Sequence, residues 1–412
     1  MPDTNTNTIV IGAGQAGLAA SRLLTAANHE HVVIERGRVG ERWLSASWDS
    51  LRLLTPNWMT RLPHWAYSGP EPDGYMTAAQ AAAFLAAYGG SFAAPLHQHT
   101  IVEQVRRSGA QFEVVSNREV WRASNVIIAT GWSQRPAIPA LARHLHPSID
   151  QITPTHYRRP EQLRDGGVLV VGASATGVQL AYELRRAGRP VYIAVGRHSR
   201  VPRRYRGRDI FWWLERTGTL DRRIDDIPSP TDGPREPSMQ LIGRSDCADV
   251  DLPTLAADGV SLLGRLQFVE GRRAYFADDL PRTTSAADER LCRVLTRIDR
   301  YIEANRLPER VLPSEPPVPL HSADSARCLD LRDAGVSTVI WATGYRRDYQ
   351  WLDVPVLNAD RELIHTGGIT PTPGLYALGL RFQRTRRSNF LDGVGADAIA
   401  ITQHLLRRQR RR

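Results

Sequence analysis

Residues 8–35 read TIVIGAGQAGLAASRLLTAANHEHVVIE, and the rest of the chain is organised around this stretch. Ile9, Val10 and Ile11 form a short apolar run, the pattern of a strand buried on both faces in a parallel sheet. Gly12, Gly14 and Gly17 follow at once in GxGxxG spacing, and an Ala- and Leu-rich helical stretch follows them. A second strand, His31–Ile34, ends on Glu35, about 20 residues beyond the glycines. Each part has a physical task. Gly12 permits the tight turn, Gly14 lets backbone N–H groups approach a pyrophosphate, and Gly17 lets helix and strand pack closely. The positive end of the helix dipole then faces the phosphates. Glu35 can accept from ribose hydroxyls and repels a 2′-phosphate. The stretch is predicted to bind the adenosine end of a dinucleotide.

Composition bounds what else the chain can do. Its 412 residues are enough for two or three domains with a sizeable core. The net charge is +10, and all 53 basic residues are arginine. With no lysine, Schiff-base chemistry and a P-loop lysine are excluded. The arginines are spread along the chain rather than striped with aromatics, so no nucleic-acid partner is expected; the Arg407–Arg412 tail reads as a helix end. Cys247, Cys292 and Cys328 lie far apart and form no CxxC motif, which argues against a redox dithiol. No apolar run reaches the length of a membrane span and no signal peptide is expected before the first strand, so the expectation is a cytoplasmic protein without a membrane partner.

Further along, residues 37–58 (GRVGERWLSASWDSLRLLTPNW) read as an irregular loop running beside a planar ring system. Arg36, Arg42, Trp43, Trp48, Asp49 and Arg52 are candidate contacts for a flavin or its diphosphate, with core packing as the other reading of the tryptophans. Residues 77–88 form a helix with Thr77 as N-cap and Gly89–Gly90 as its stop. Short strands are predicted near His99–Gln104 and Gln111–Ser116, and NVIIATGW (125–132) is a buried strand ending in a turn at Gly131. Then GVLVVGASATGVQLAYE (167–183) repeats the opening pattern, with Gly172, Ser174 and Gly177 at the turn and Ala175 and Thr176 at the helix start. Its second strand, Val191–Val195, is closed by Arg197, His198, Arg200, Arg203 and Arg204 rather than by an acid, which suits a 2′-phosphate. Residues 227–237 are a Pro-rich loop, and Ala286–Asn305 is an amphipathic helix ending before Pro308.

TVIWATGY (338–345) echoes NVIIATGW, so the chain is expected to leave the first domain near Arg135 and return near Thr338, making the second dinucleotide unit an insertion. The predicted architecture is α/β, with two Rossmann-like domains: residues 1–135 and 338–412 for FAD, and the inserted 136–337 for NADPH. Thr343 and Gly344 join the candidate cofactor contacts. So do Asp392 and Val394, at the start of the C-terminal helix, whose N-terminus is expected to face the flavin ring.

Two nested dinucleotide folds, each closed by an ATG strand, are the layout of the two-dinucleotide-binding flavoproteins. WATGY (341–345), GASATGVQ (172–179), WDSLRLLTP (48–56) and YMTAAQAAAFLAAY (75–88) resemble segments of the class B flavin monooxygenases, the flavin-containing, Baeyer–Villiger and plant indole-pyruvate enzymes among them. The resemblance implies a cycle in which NADPH reduces FAD, O2 adds at C4a, and the resulting (hydro)peroxyflavin passes one oxygen atom to a small organic substrate. It also suggests Thr55 and Asn57 as hydrogen-bond partners of the peroxide. Trp212 and Trp213 read first as core and second as substrate-site walls. The family's histidine between the two glycine motifs is replaced: aligning Tyr157–Arg158 puts Thr153 in its place, with His156 out of register. That departure favours one alternative, an NADPH-dependent reductase or oxidase that never oxygenates; a non-catalytic NADPH-sensing flavoprotein that regulates a partner is a separate one. A homodimer is left open as the assembly.

Overall fold

Two sheets of the same construction, each built on a glycine turn, organise the molecule. The computed structural model describes residues 3–227, 229, 233–307, 311–320 and 325–410. In the first sheet, strand β1 (Asp3–Ile11) runs into helix α1 (Gln15–Ala26) and strand β2 (His31–Ile34). β1 pairs in parallel with β2 on one side and with β3 (Val120–Ile128) on the other. Leu96–His97 extends the sheet beyond β2, while Leu375–Ala377 pairs in parallel with the end of β3. An antiparallel flap, Val102–Ser108 and Gln111–Ser116, pairs with the start of β3. Ile9, Val10 and Ile11 are at most 5% exposed, as both faces of a parallel sheet require.

The second sheet repeats the order. Strand β4 (Gly167–Val171), helix α2 (Ala175–Arg186) and strand β5 (Val191–Ala194) form its turn unit. β4 lies between β5 and β6 (Val336–Trp341), and all of these pairings are parallel. Asp150–Ile152 and Ser261–Leu263 complete the two edges. The α/β architecture with two dinucleotide-binding units is therefore present.

The backbone explains the glycines and the ATG echo together. Gly12 has φ +109°, and a Cβ there would lie 2.5 Å from the carbonyl oxygen of Ala129; at Gly172 the φ is +110° and the oxygen of Ala342 would be 2.4 Å away. These alanines are the first residues of the two ATG triplets. A Cβ on Gly17 or Gly177 would sit 1.8 Å from the carbonyl oxygen of Gly12 or Gly172. At Gly14 nothing lies within 4 Å, so protein packing leaves that face open, and Ser174 fits the corresponding place.

One boundary moves. The sequence places the return to the first domain near Thr338, yet the strand that contains Thr338, Val336–Trp341, pairs with β4 in the second sheet. Each glycine turn needs its own ATG strand beside it, and β6 serves Gly172 as β3 serves Gly12. The chain crosses back at Tyr345–Arg346, which pairs antiparallel with the outgoing Arg135–Pro136. Thr343 and Gly344 thus belong to the second unit rather than to residues 338–412 of the first.

Other elements differ at their ends. Thr77 caps the helix Ala78–Ser91 through a reciprocal box, accepting from Gln80 N at 3.2 Å while Gln80 Oε1 accepts from Thr77 N at 2.8 Å. This helix runs through Gly89–Gly90, because Gly89 is buried against Leu18 of α1. The amphipathic helix starts earlier, at Leu280, and ends at Ala304, with Pro281 in its first turn; Pro308 lies outside the described residues, as does part of the loop 227–237. The C-terminal helix α3 (Val394–Gln409) covers β1 and α1, and the last two arginines lie outside the described residues. Among the described residues, no helix is long and apolar enough to cross a membrane.

The difference between the turn glycines is testable. Gly12→Ala should cost at least about 3 kcal/mol, from a left-handed backbone plus a carbonyl collision, read as lost soluble protein or a lower urea midpoint. Gly14→Ala should keep its urea midpoint and weaken dinucleotide retention instead.

Candidate functional site

Between the two sheets lies a cavity of about 770 Å³. Both helix N-termini open on it: Gly14, Gln15 and Ala16 from α1, and Ala175 and Thr176 from α2. Neither helix has an acidic residue in its first turn, so each presents unpaired N–H groups and a positive dipole end to one shared space.

Glu35 stands at the end of β2 and lines the cavity. Its Oε2 accepts from Ala13 N at 2.8 Å and its Oε1 from Gly37 N at 2.9 Å. Each oxygen keeps a second lone pair, so a held carboxylate still has capacity for ribose hydroxyls. Arg36, Arg42, Trp43, Trp48, Arg52, Thr55 and Gly131 line the same space. The Arg42 guanidinium lies 5.0 Å from the Tyr345 ring centre, and burial pushes its pKa down. Arg52 Nη1 donates to Tyr75 O at 2.8 Å. Trp48 does two things, because it also packs into the core of the inserted unit beside Tyr157, Val168 and Val170.

Several expected site residues stand elsewhere. Asn57 is 4% exposed and its amide is used by backbone: Nδ2 donates to Glu71 O and Oδ1 accepts from Met76 N, both at 2.9 Å. It fixes the loop carrying Thr55 and does not line the cavity. Thr153 is 5% exposed, with its hydroxyl bonded to Thr155 Oγ1 and His156 Nδ1 at 2.9 Å each; it too is absent from the cavity wall. Among the described residues, no histidine lines that wall. Thr343 is exposed, with Oγ1 donating to Ala137 O at 2.6 Å, and Gly344 is exposed beside it. Asp392 and Val394 are buried. The Asp392 carboxylate accepts from Arg387 Nη1 at 2.9 Å, and Val394 packs under α1. The neighbours Asn389, Phe390 and Leu391 reach the cavity instead. Gly172, Ser174, Gly17 and Gly177 shape the turns behind the wall.

The arginine cluster divides. Arg203 is 1% exposed, pairing with Asp209 Oδ1 at 2.6 Å and donating to Leu54 O at 2.7 Å, between the rings of Tyr75 and Phe211. It is a clamp joining the loop beside Thr55 to the inserted unit, and no phosphate can reach it. Arg200 is likewise buried, on Asp251 and Asp288, and Arg204 donates to Gly207 O away from the end of β5. Arg197 alone of these is exposed directly after that strand. Trp213 is fully buried, its Nε1 donating to Tyr205 O at 2.7 Å, and its core reading holds; Phe211 on the same short helix reaches the cavity instead.

Sequence reasoning missed Arg381 and Arg386, which line the cavity from the segment after Leu375–Ala377. The run RFQRTRRS (381–388) was the available signal, but it resembles the many other arginine runs in the chain. The three cysteines are free, and none lines the cavity.

Residues 9–209 match the pyridine nucleotide-disulphide oxidoreductase family. Over 402 residues the chain is 31% identical to an uncharacterized CzcO-like oxidoreductase of Geobacillus kaustophilus, covering 97% of each. It is 26% identical to the indole-3-pyruvate monooxygenase YUCCA8 of Oryza sativa subsp. japonica, over 66% of this chain and 72% of that one. A solved flavin-containing monooxygenase from Stenotrophomonas maltophilia shares the fold with a TM-score of 0.67 at 18% identity, over 98% of both chains.

Two outcomes follow from the buried charges. Arg203→Ala strands Asp209 in the interior and should cost about 3–5 kcal/mol in urea unfolding, whereas Arg197→Ala should leave stability within about 0.5 kcal/mol. Burial also pushes the Asp397 carboxyl, in the first turn of α3, up to about 6. Between the ordinary carboxylate range and that value the folded chain keeps a proton that the unfolded chain has lost. This stabilisation is therefore complete at low pH and disappears as pH rises through about 6. The melting temperature of the wild type should include that decline between pH 4.5 and 7.5, and Asp397→Asn should flatten it.

Proposed function

Because this chain belongs to the CzcO-like oxidoreductases of the class B flavoprotein monooxygenase family, we propose that it is an FAD- and NADPH-dependent enzyme that transfers one oxygen atom of O2 to a small organic substrate. The observation that carries the reading is the meeting of two dinucleotide-binding helix ends at one cavity. That arrangement suits a hydride donor and an acceptor brought face to face.

The residues present fit both groups. The open face at Gly14 lets a pyrophosphate approach the N–H groups of α1, and Glu35 takes the adenosine ribose. The N-terminus of α2 takes the second pyrophosphate, and Arg197 gives a charge-assisted contact to a 2′-phosphate. When bound, FAD supplies the electron transfer and oxygen activation that no side chain can supply. The protein does the rest. Trp43, Trp48, Met239 and Phe390 wall the space with apolar surface and exclude water. Thr55, held by the Arg203–Leu54 clamp and the Asn57 loop, offers a fixed hydroxyl to the reacting region.

A reductase or oxidase that never oxygenates is the second reading. It is favoured by one observation, the displacement of Thr153 and of every described histidine from the cavity wall. A disulfide reductase is disfavoured, since no cysteine reaches the cavity.

Purified protein should be yellow and should use NADPH at least tenfold better than NADH, a difference of about 1.4 kcal/mol, with Arg197→Ala removing most of that preference. Rapid mixing of the reduced, NADP+-loaded protein with O2 should show an absorbance transient distinct from oxidised and reduced flavin. Stoichiometric H2O2 without a transient, candidate substrates included, would replace this reading with the oxidase one.

A further inference from the structure

The C-terminal wall of the cavity holds more buried positive charge than the protein neutralises. Arg222, Arg381 and Arg386 converge on one carboxylate, Glu236. Arg222 Nη2 takes one of its oxygens as a short ion pair, Arg386 Nη2 stands 3.8 Å from the other, and Arg381 Nη2 donates to its backbone carbonyl at 2.5 Å. The Arg386 side chain is 18% exposed. Glu236 is its one ionic partner among the described residues, and its guanidinium makes no hydrogen bond to them. Arg381, Arg386 and Glu236 all line the cavity. Burial and the neighbouring guanidinium groups push the pKa of Arg381 down to about 10, which leaves it charged at neutral pH.

A guanidinium carries five donors in a fork that matches a carboxylate. Holding it mostly buried without acceptors is costly unless an anion arrives. The segment is also set in advance: Arg386 N donates to Arg222 O at 3.0 Å and Ile224 N to Arg384 O at 2.9 Å. The fork is therefore positioned before any ligand binds. Phe211 and Phe390, their rings edge-on with centres 6.2 Å apart, and Met239 give apolar surface in the same cavity. The cofactor phosphates have their own partners at the two helix N-termini and at Arg197.

We propose that the substrate is a small organic carboxylate with an apolar body, its carboxylate received by Arg386 beside Arg381 and its body lying against Phe211, Met239 and Phe390. This assignment rests on reading the cavity as the oxidation site. It names Arg386 as the specificity-determining residue.

The test uses oxidised, FAD-loaded protein, so it does not depend on oxygen transfer. Benzoate, phenylacetate, 3-phenylpropionate and hexanoate, each beside its primary amide, are titrated at fixed ionic strength while the flavin difference spectrum is read. At least one carboxylate should give a saturable shift, binding at least tenfold tighter than its amide. Arg386→Gln should remove that advantage with FAD content and the KM for NADPH within twofold of wild type, and Arg386→Lys should restore part of it. The proposal is overturned if no carboxylate shifts the spectrum, or if amides bind as tightly in the wild type. It is also overturned if Arg386→Gln lowers FAD content or raises the KM for NADPH while carboxylate binding persists, since Arg386 would then serve a cofactor. If Arg386→Gln does not fold, the wild-type comparison of acid and amide still decides. Protein that binds the carboxylates yet gives no O2-dependent transient would sink the oxygenase reading and leave this one standing.

Discussion

A backbone-to-backbone contact closes each half of the molecule. The first glycine of each turn lies against the carbonyl of an alanine at the end of the neighbouring strand, Gly12 on Ala129 and Gly172 on Ala342, with no room for a methyl group. Because the last glycine of each motif, Gly17 or Gly177, is pressed just as closely against the carbonyl of the first, the helix leaves the sheet at a fixed height and direction. Its N-terminus is then committed to the space above the strand ends, where ligands of open α/β sheets bind. Two units that obey the same constraint, joined by the crossing pair Arg135–Pro136 and Tyr345–Arg346, direct both helix ends into one cavity.

What holds that cavity in shape is largely a set of arginine clamps between the two units. Arg203 ties Leu54 of the first unit to Asp209 of the second, and the Arg158 guanidinium donates to the carbonyls of Ser45 and Ser47. Trp48 inserts into the second core from the first unit's loop. Buried charge is a weak source of stability when it replaces apolar packing, yet removing one partner is expensive. In a lysine-free chain these clamps all use guanidinium forks, which can bind backbone carbonyls and a carboxylate at once. The same chemistry, left half-compensated around Glu236, gives the cavity wall its preference for an anion.

The short-range rules were legible in the sequence because they act between neighbours along the chain. The GxGxxG turn, the acid ending β2, the N-cap at Thr77 and the two helices that follow the glycines are each fixed by sterics or hydrogen bonds within a few residues of themselves. The architecture, two dinucleotide units of the α/β class, followed from repetition of that local pattern. The match of NVIIATGW to TVIWATGY is also visible in the sequence, but not its meaning: the repeat reads equally as a return to the first sheet and as the equivalent strand of the second, and the pairing with β4 makes it the latter.

Partnership across long separations was not written in any local pattern. An arginine after β5 reads the same whether it faces solvent, as Arg197 does, or is sealed against an aspartate, as Arg203 is; the difference lies in Asp209, Tyr75 and Leu54, brought to it by folding. Asn57 and Thr153 carry polar groups suited to catalysis, but Met76, Glu71 and His156 use those groups first. Arg381 and Arg386 carried no local signature and became site residues because the segment after Leu375–Ala377 pairs with residues 220–224. The sequence alone determined the two glycine turns and the helices they launch, since each is a steric necessity a few residues long. Which charges stay free to meet a ligand was decided by the tertiary structure, because a charge is spent or spared by whatever partner the fold sets beside it.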